Sequence, residues 1–293
     1  MRRLLLLSML CVTAGAISGC SLDEVHPTEN IPYAGVRFIN AVPDTAGAFG
    51  MDLRFVDQPE NNAHFRIGFR SGPTTSGGVT ASTGVQFKAT RAGSRQFRIF
   101  LNDSLQAVAS VVLKDTIVTL EAGRNYTALL LGNARTTAPP AMRLVFFEET
   151  VADPGAQVAL RVINTTPTAI DVRHYPDAGA VPAAATWANV ASLSVSAHVL
   201  ATPGRIRYNV RPAGGGANLF ADALALIGVA ASSTAGTGAP LDIEATPGTT
   251  VAGSAITLIV WPRSTAGART PQTAAFQVPA ASSIWDRRPP YIQ

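Results

Sequence analysis

The stretch that decides the fold is VRFINAVPDTAGAFGMDLRFVD, residues 36–57, which returns later in the chain as LRVINTTPTAIDVRHYPD, residues 160–177. Asn40 aligns with Asn164, and the loop that follows is shorter in the second copy. Each copy opens with an apolar run, turns at a proline and continues into a run in which apolar and polar residues alternate. A period of two is typical of a β-strand with one buried face.

Two further pairs of segments match in the same order. ATRAGSRQFRIF (residues 89–100) matches ATPGRIRYNV (201–210), and LEAGRNYTALLL (120–131) matches TVAGSAITLIVW (250–261). Three matched blocks in one order predict an internal duplication of a single domain. The turn-rich linker at 150–157, which contains Asp-Pro-Gly, is the expected join.

The duplicated segments predict an all-β chain with two tandem antiparallel β-sandwich domains of the immunoglobulin-like or Greek-key kind, at 35–150 and 156–280. Residues 127–131 and 256–261 are apolar on both faces, which indicates central strands. The stretch 218–230 fits a helix or a strand, and its match to 104–113 favours a strand. We expect residues 281–293 to form an extended C-terminal tail.

The N-terminus has the features of an export signal. Two arginines precede an apolar run from Leu4 to Ile17, which is shorter than the roughly 20 residues that a membrane-spanning helix needs. Small residues then lead to Cys20, and this order resembles the lipobox of bacterial lipoproteins. The resemblance implies a signal peptide at 1–19, a lipidated Cys20, a polar tether at 20–34 and, because Ser21 follows, sorting to the outer membrane.

Composition limits the classes of partner. Cys11 would be lost with the signal and Cys20 would carry the lipid, so the mature chain would have no disulfide. Cleavage also removes Arg2 and Arg3, which lowers the basic count from 23 to 21 against 19 acidic residues and the net charge from +4 to +2. Such a mild balance does not predict a nucleic-acid partner.

The repeated blocks resemble the bacterial family known as domain of unknown function 4397. The resemblance rests on the openings VRFIN and LRVIN, the following proline turn, the strands MDLRFVD and IDVRHYPD, and the Ala-Gly turn before an apolar strand. The matching segments occur in two copies, which together span most of the mature chain. The resemblance implies a secreted or surface β-sandwich that is often lipid-anchored and has no established activity.

The aligned polar residues have a structural interpretation. Asn40 and Asn164 end a strand before a proline turn, where an Asn side chain can accept a hydrogen bond from the backbone two residues on. Asp52 and Asp171 begin the next strand and could satisfy loop amides. One carboxylate per copy supplies too few oxygens for calcium, so we expect turns rather than a metal site.

No sequence motif predicts catalysis. The four histidines, His26, His64, His174 and His198, form no close metal-binding pair, and the chain contains no GxSxG or phosphate-binding loop. We therefore expect a non-enzymatic protein without a cofactor or metal. An envelope hydrolase with a spatially assembled site is the alternative, because a catalytic triad needs no local motif.

Three surface features suggest binding, and each has a structural alternative. The first is a set of arginines that could bind lipopolysaccharide, or could form a solvated sheet face: Arg66, Arg70, Arg205, Arg207 and Arg211. Tyr175 and Trp187 could stack on a glycan or could pack into a core. The tail could present Arg287, Arg288, Pro289 and Pro290 to a partner, or could fray. The sequence thus predicts a lipid-anchored cell-envelope module for display, adhesion or scaffolding.

Overall fold

The computed structural model describes residues 31–46, 50–59, 66–70, 87–234, 241–265 and 274–288. The predicted signal peptide, Cys11, Cys20, His26, His64 and nearly all of the predicted tether lie outside these ranges. Within the described ranges, no helix combines the length and apolarity needed to cross a membrane.

The first half of the described chain folds into two four-stranded sheets. Its elements are β1 (Tyr33–Asn40), β2 (Met51–Phe55), β3 (Arg66–Ile67), β4 (Lys88–Arg91), β5 (Gly93–Leu101), α1 (Gln106–Ala109), β6 (Val112–Leu120), β7 (Asn125–Leu131) and β8 (Arg143–Glu148). A 3-10 helix, Pro43–Thr45, follows β1. The strand orders are β4-β1-β7-β8 and β3-β2-β5-β6. The sheets pack face to face over a core that includes Phe38, Phe55 and Phe97, and we call this unit the first sandwich.

The second half repeats this arrangement. Its strands are β9 (Val158–Asn164), β10 (Ile170–Pro176), β11 (Trp187–Val190), β12 (Ser194–Val195), β13 (Val199–Ala201), β14 (Ile206–Pro212), β15 (Ala223–Leu224), β16 (Ser232–Thr234), β17 (Leu241–Ile243), β18 (Ala255–Trp261) and β19 (Ala280–Arg287). A 3-10 helix, Ala274–Phe276, precedes β19. One sheet has the order β12-β9-β18-β19 with β13 also paired to β9, and the other has the order β11-β10-β14-β15. Leu160, Tyr208 and Leu258 lie in the shared core of this second sandwich.

The two sandwiches join through a third apolar cluster. Ile39 and Leu129 of the first sandwich lie in this cluster together with Ile163, Ile259 and Trp261 of the second. Strands β1, β7, β9 and β18 are therefore buried on both faces, one against their own core and one against the other sandwich. This double burial is why the sequence of these strands is apolar at nearly every position.

The all-β class and the sandwich architecture are confirmed, and one feature of the predicted pairing is wrong. Strands β1 and β7 run parallel, with Arg37 opposite Thr127, and β9 and β18 run parallel, with Arg161 opposite Thr257. The other pairs in these sheets are antiparallel. Each half thus has one mixed sheet, because the first strand of each sandwich lies beside the last strand but one.

Three local predictions need correction. Residues 281–287 belong to β19 rather than to a tail, since they pair with β18 throughout. The segment 104–113 contains α1 before β6 begins, whereas 218–230 forms only the two-residue strand β15. The strand predicted around residue 67 is limited to Arg66 and Ile67 within the described part.

Candidate functional site at the junction of the two sandwiches

A buried arginine from each sandwich lies at the junction. Arg37 is on β1 and Arg161 is on β9, and Nε of each donates to a threonine on the neighbouring parallel strand at 2.7 Å. The acceptors are Thr127 for Arg37 and Thr257 for Arg161. The two arginines therefore occupy the same place in their respective sandwiches, on the face opposite the sandwich core.

Two carboxylates bridge these arginines. Arg37 contacts Glu149, and its Nη2 lies 2.7 Å from Oδ1 of Asp286. Arg161 Nη2 lies 2.6 Å from Oε2 of Glu149 and 3.0 Å from Oδ1 of Asp286. Each of the four side chains is at most 6% exposed. Two cations and two anions thus balance in a site from which water is excluded, as burial of charge requires.

The two arginines change the acid–base properties of Asp286. Burial by itself would raise the pKa of Asp286, but Arg161 and Arg37, together with hydrogen bonds from His198 and Thr257, outweigh burial and hold this pKa well below its usual range. Nε2 of His198 lies 3.4 Å from Oδ2 of Asp286. Asp286 is therefore ionised at neutral pH, and its contacts with Arg37 and Arg161 tie the end of β19 to both sandwiches.

A cleft of about 330 Å³ opens where the four central strands end. Its walls come from the residues that follow β1, β7, β9 and β18, together with loop residues from both halves. The lining residues are Pro43, Gly132, Asn133, Pro139, Pro140, Thr165, Thr166, Pro167, Thr168, Leu193, Leu219, Pro262, Arg263, Thr265 and Pro279. Both proline turns of the duplicated motif thus contribute to one cavity.

The cationic groups around this cleft are arginines. Arg263 lines it and is exposed. Arg143 donates to the carbonyl of Leu193, and Arg70 donates to the carbonyl of Pro262 through Nε at 3.2 Å. None of the lining residues described is a histidine or a carboxylate. The cleft can therefore hold an anion, and its described walls offer no proton-transferring side chain.

Arg70 differs from its predicted role as a surface cation. It lies in a turn with a φ of 58°, and it donates to carbonyl groups of the second sandwich, including Ala275 at 2.8 Å. The rings of Phe69 and Phe276 lie 5.2 and 5.6 Å from its guanidinium carbon. Burial lowers the pKa of Arg70 to about 10. Arg70 fastens the two sandwiches together.

The other predicted arginines are separated and mostly paired. Arg66 is exposed on β3 of the first sandwich. On the second sandwich, Arg205 and Arg207 share the carboxylate of Asp177, whereas Arg211 donates to the side chain of Asn218 at 3.0 Å. The structure does not bring the five predicted arginines together on one face.

Tyr175 and Trp187 are core residues, so the predicted exposed stacking platform is wrong. Tyr175 is 5% exposed and Trp187 is 7% exposed. The Tyr175 hydroxyl donates to Asp222, and burial together with this contact raises the pKa of Tyr175 to about 12. The indole of Trp187 donates to the carbonyl of Ala197 at 3.2 Å. Their apolar surfaces fill the second sandwich.

The predicted turn roles are confirmed for Asn40, Asn164 and Asp171. Asn40 Oδ1 accepts from the amide of Val42 at 2.9 Å, and Asn164 Oδ1 accepts from the amide of Thr166 at 3.0 Å. Asp171 accepts from the loop amide of Asn189 at 2.8 Å. Asp52 pairs with Arg54 at 2.5 Å.

The described histidines lie apart from the cleft lining. His174 on β10 contacts the hydroxyl of Thr186 at 3.0 Å, and burial lowers its pKa. His198 contacts Asp286 in the buried cluster. Among the described residues, no three histidine, cysteine, aspartate or glutamate side chains are grouped to hold a metal ion.

Sequence reasoning did not identify the junction residues. The available signal was an arginine at the second position of both VRFIN and LRVIN, where a charge interrupts an apolar strand. A threonine at the same position of both 120–131 and 250–261 was a second signal. Glu149 and Asp286 have no shared local motif, so only the fold shows that they meet.

Comparison with known proteins supports a family and assigns no activity. No curated protein matches the chain significantly. The matched family region begins in β1 and ends in β10, so it includes the first sandwich and the first two strands of the second. Residues 34–175 match the family described as domain of unknown function (DUF4397), which supports the family that the repeated motifs resemble.

Proposed function

We propose that this protein is an exported, lipid-anchored, non-enzymatic binding module of the cell envelope, built from a tandem duplication of the DUF4397 domain. The observation that carries this proposal is the junction, where Arg37 and Arg161 share Glu149 and Asp286. Removing one member of a buried charge cluster costs several kcal/mol, so such a junction resists opening. A rigid two-sandwich body suits a protein that holds a binding surface at a fixed place.

The duplication is supported by the strand connections as well as by the sequence. In both sandwiches the first strand pairs in parallel with the last long apolar strand, and the second strand pairs with the strand from the matched middle block. Both apolar strands follow an Ala-Gly turn in which the glycine has a positive φ, 75° at Gly123 and 80° at Gly253. Two unrelated domains would not be expected to share both this strand pairing and glycines with a positive φ at the same place.

Binding is favoured over hydrolysis because of the chemistry that the cleft offers. Its walls are mainly proline, threonine and leucine, with Arg263 as the charged lining residue. Apolar walls with a few polar groups are typical of ligand sites. The partners that we propose are an envelope protein, lipopolysaccharide or a glycan, with the acyl chains on Cys20 in the outer membrane.

The anchor places this body close to a bilayer. Two or three acyl chains on one cysteine provide stable attachment, since each buried methylene contributes about 0.8 kcal/mol. The tether of residues 20–34 leads directly into β1, and a flexible segment of that length has a root-mean-square span of roughly 20 Å. The folded part would thus ride just above the bilayer surface.

The test of the anchor compares the two cysteines of the full chain in its native host. Cys20→Ser should abolish palmitate labelling and move the protein from the membrane fraction to the soluble fraction. Cys11→Ser is the matched control, because Cys11 lies within the signal peptide, and it should leave labelling and fractionation unchanged. An exported Cys20→Ser protein whose signal peptide has been cleaved and that still stays in the membrane fraction would refute the proposed anchor.

A further inference from the structure

We propose that the junction cleft binds the C-terminal carboxylate of an extended apolar peptide. This inference names a ligand class for the proposed binding function and rests on that function. The cleft occupies about 330 Å³, at the low end of the range for small-molecule pockets. It is large enough for the last residues of a peptide and too small for a folded partner.

The walls of the cleft favour an apolar ligand that is already extended. Prolines come from turns of both sandwiches, including Pro43, Pro167 and Pro262, and Leu193 and Leu219 complete the apolar lining. Proline has a fixed φ and little side-chain freedom, so these walls lose little entropy when a ligand binds. Such a preformed surface binds more tightly than one that must first be ordered.

The charge at the cleft favours an anion. No described residue pairs with the exposed guanidinium of Arg263, whereas Arg70 and Arg143 donate to wall carbonyls. Asp44, which follows the lining residue Pro43 in the sequence, is fully buried and accepts from three successive backbone amides, 134 to 136. A carboxylate can bind the planar guanidinium of Arg263 through two hydrogen bonds.

Acceptor groups along the walls favour a peptide over a simple fatty acid. The hydroxyl of Thr165 donates to the carbonyl of Val260 at 2.7 Å, and the hydroxyl of Thr166 donates within its own turn. Both oxygens keep lone pairs that can accept from a ligand. A peptide supplies N–H donors beside its terminal carboxylate, and an alkyl carboxylate has none.

The experiment measures binding to the full protein in lipid nanodiscs by isothermal titration calorimetry. The probes are N-acetyl-leucyl-leucine with a free carboxylate, the same peptide as its C-terminal amide, and octanoate. We expect the free acid to bind about tenfold more tightly than the amide, the size of one charge-assisted contact. Octanoate should bind more weakly than the free acid, because it cannot donate to the wall acceptors.

Variants connect this preference to one side chain. Arg263→Gln should make the acid and the amide bind equally, and Arg263→Glu should favour the amide. Arg211→Gln is the matched control, since Arg211 lies on the outer sheet of the second sandwich and should keep the preference. Equal binding of acid and amide to the unmodified protein, or a preference that survives Arg263→Gln, would overturn the proposal. If octanoate bound as tightly as the peptide, the site would recognise apolar anions in general, and the proposed preference for a peptide would be wrong.

These outcomes are separate from the anchoring test. Palmitate labelling and fractionation do not depend on the cleft, and peptide binding in nanodiscs is compared between proteins with the same anchor. Failure of the peptide preference would therefore leave the lipid anchor standing. If Cys20 carried no lipid, the same titrations on the full protein in buffer would still test the peptide preference.

Discussion

Arg37 and Arg161 lie 124 positions apart in the chain and contact the same two carboxylates, Glu149 and Asp286. Each arginine also donates to a threonine on its parallel neighbour at 2.7 Å. This shared pairing converts two sandwiches, each with its own core, into one compact unit. The following predictions test the contacts that produce that unit.

The first prediction concerns the buried cluster. Arg37→Met should lower the free energy of unfolding by about 3 to 5 kcal/mol, because the two carboxylates would then share one cation in a dry site. Arg98→Met is the control: Arg98 pairs with Asp115 at 2.9 Å on the exposed face of the first sandwich, and its loss should cost at most about 1 kcal/mol. Urea denaturation followed by circular dichroism measures both. If the two variants lost the same free energy of unfolding, burial would not explain the contribution of the cluster to stability.

The second prediction is a pH dependence. The pKa of Asp286 lies below its value in the unfolded chain, which is about 3.9, so its ionisation stabilises the fold above about pH 4. That contribution is lost as the pH falls towards the folded-state pKa. Asp286→Asn should be less stable than the unmodified protein at pH 7 and should lose less stability between pH 7 and pH 3. Urea denaturation across this range that gave parallel curves would refute the prediction.

The third prediction concerns the arginine that fastens the sandwiches. Arg70→Gly keeps a residue suited to a φ of 58° and removes the guanidinium, so it leaves several carbonyl groups of the second sandwich without a donor. The expected loss of unfolding free energy is about 2 kcal/mol. Arg66→Ala, on an exposed position of β3, should change stability by less than about 0.5 kcal/mol. Thermal or urea unfolding of the two variants checks the difference, and equal stability would show that Arg70 has no fastening role.

The fourth prediction concerns the turn beside the cleft. The amide nitrogen of Asn164 donates to the carbonyls of Thr168, Val190 and Ala191 at 2.8 to 3.1 Å, while its oxygen accepts from Thr166. Asn164→Asp keeps an oxygen that can accept from Thr166. It replaces the amide nitrogen with a carboxylate oxygen, which would face three carbonyl oxygens. We expect a loss of about 2 to 3 kcal/mol at pH 7.

The pH dependence of that loss provides its control. A protonated carboxyl can donate one of the lost hydrogen bonds, so the loss relative to the unmodified protein should be smaller at pH 4 than at pH 7. Asn125→Asp is the matched variant, because Asn125 is exposed at the start of β7 and should tolerate the change within about 0.5 kcal/mol. Similar unfolding curves for both variants at pH 7 would mean that the three carbonyls do not require a donor.

Local signals in the sequence predicted much of the fold. Alternating residues and Ala-Gly turns identified most of the long strands, and Asn40 and Asn164 were correctly predicted to form side-chain turns. The same signals gave the wrong secondary structure in short segments whose sequence is compatible with more than one kind of element. Residues 104–113 include a helix, and residues 281–287 form a core strand although Arg287 and the following Arg288, Pro289 and Pro290 suggested a tail.

The candidate site was harder to predict for a physical reason. Pro43 and Pro167 were recognised as turns, but their meeting in one cleft depends on how the sandwiches pack. Tyr175 and Trp187 flank a loop in the sequence, and whether such aromatics face solvent or a core depends on neighbours that are distant along the chain.

The all-β class, the repeated strand motifs and the turns can be read from local patterns, because they depend on residues within a few positions of each other. The parallel pairing of β1 with β7, the sharing of Glu149 and Asp286 by Arg37 and Arg161, and the position of Arg263 in a cleft arise only in the folded chain. These relationships join residues that are tens to hundreds of positions apart. Electrostatic pairing and packing act through space, so they are fixed only when the two sandwiches meet.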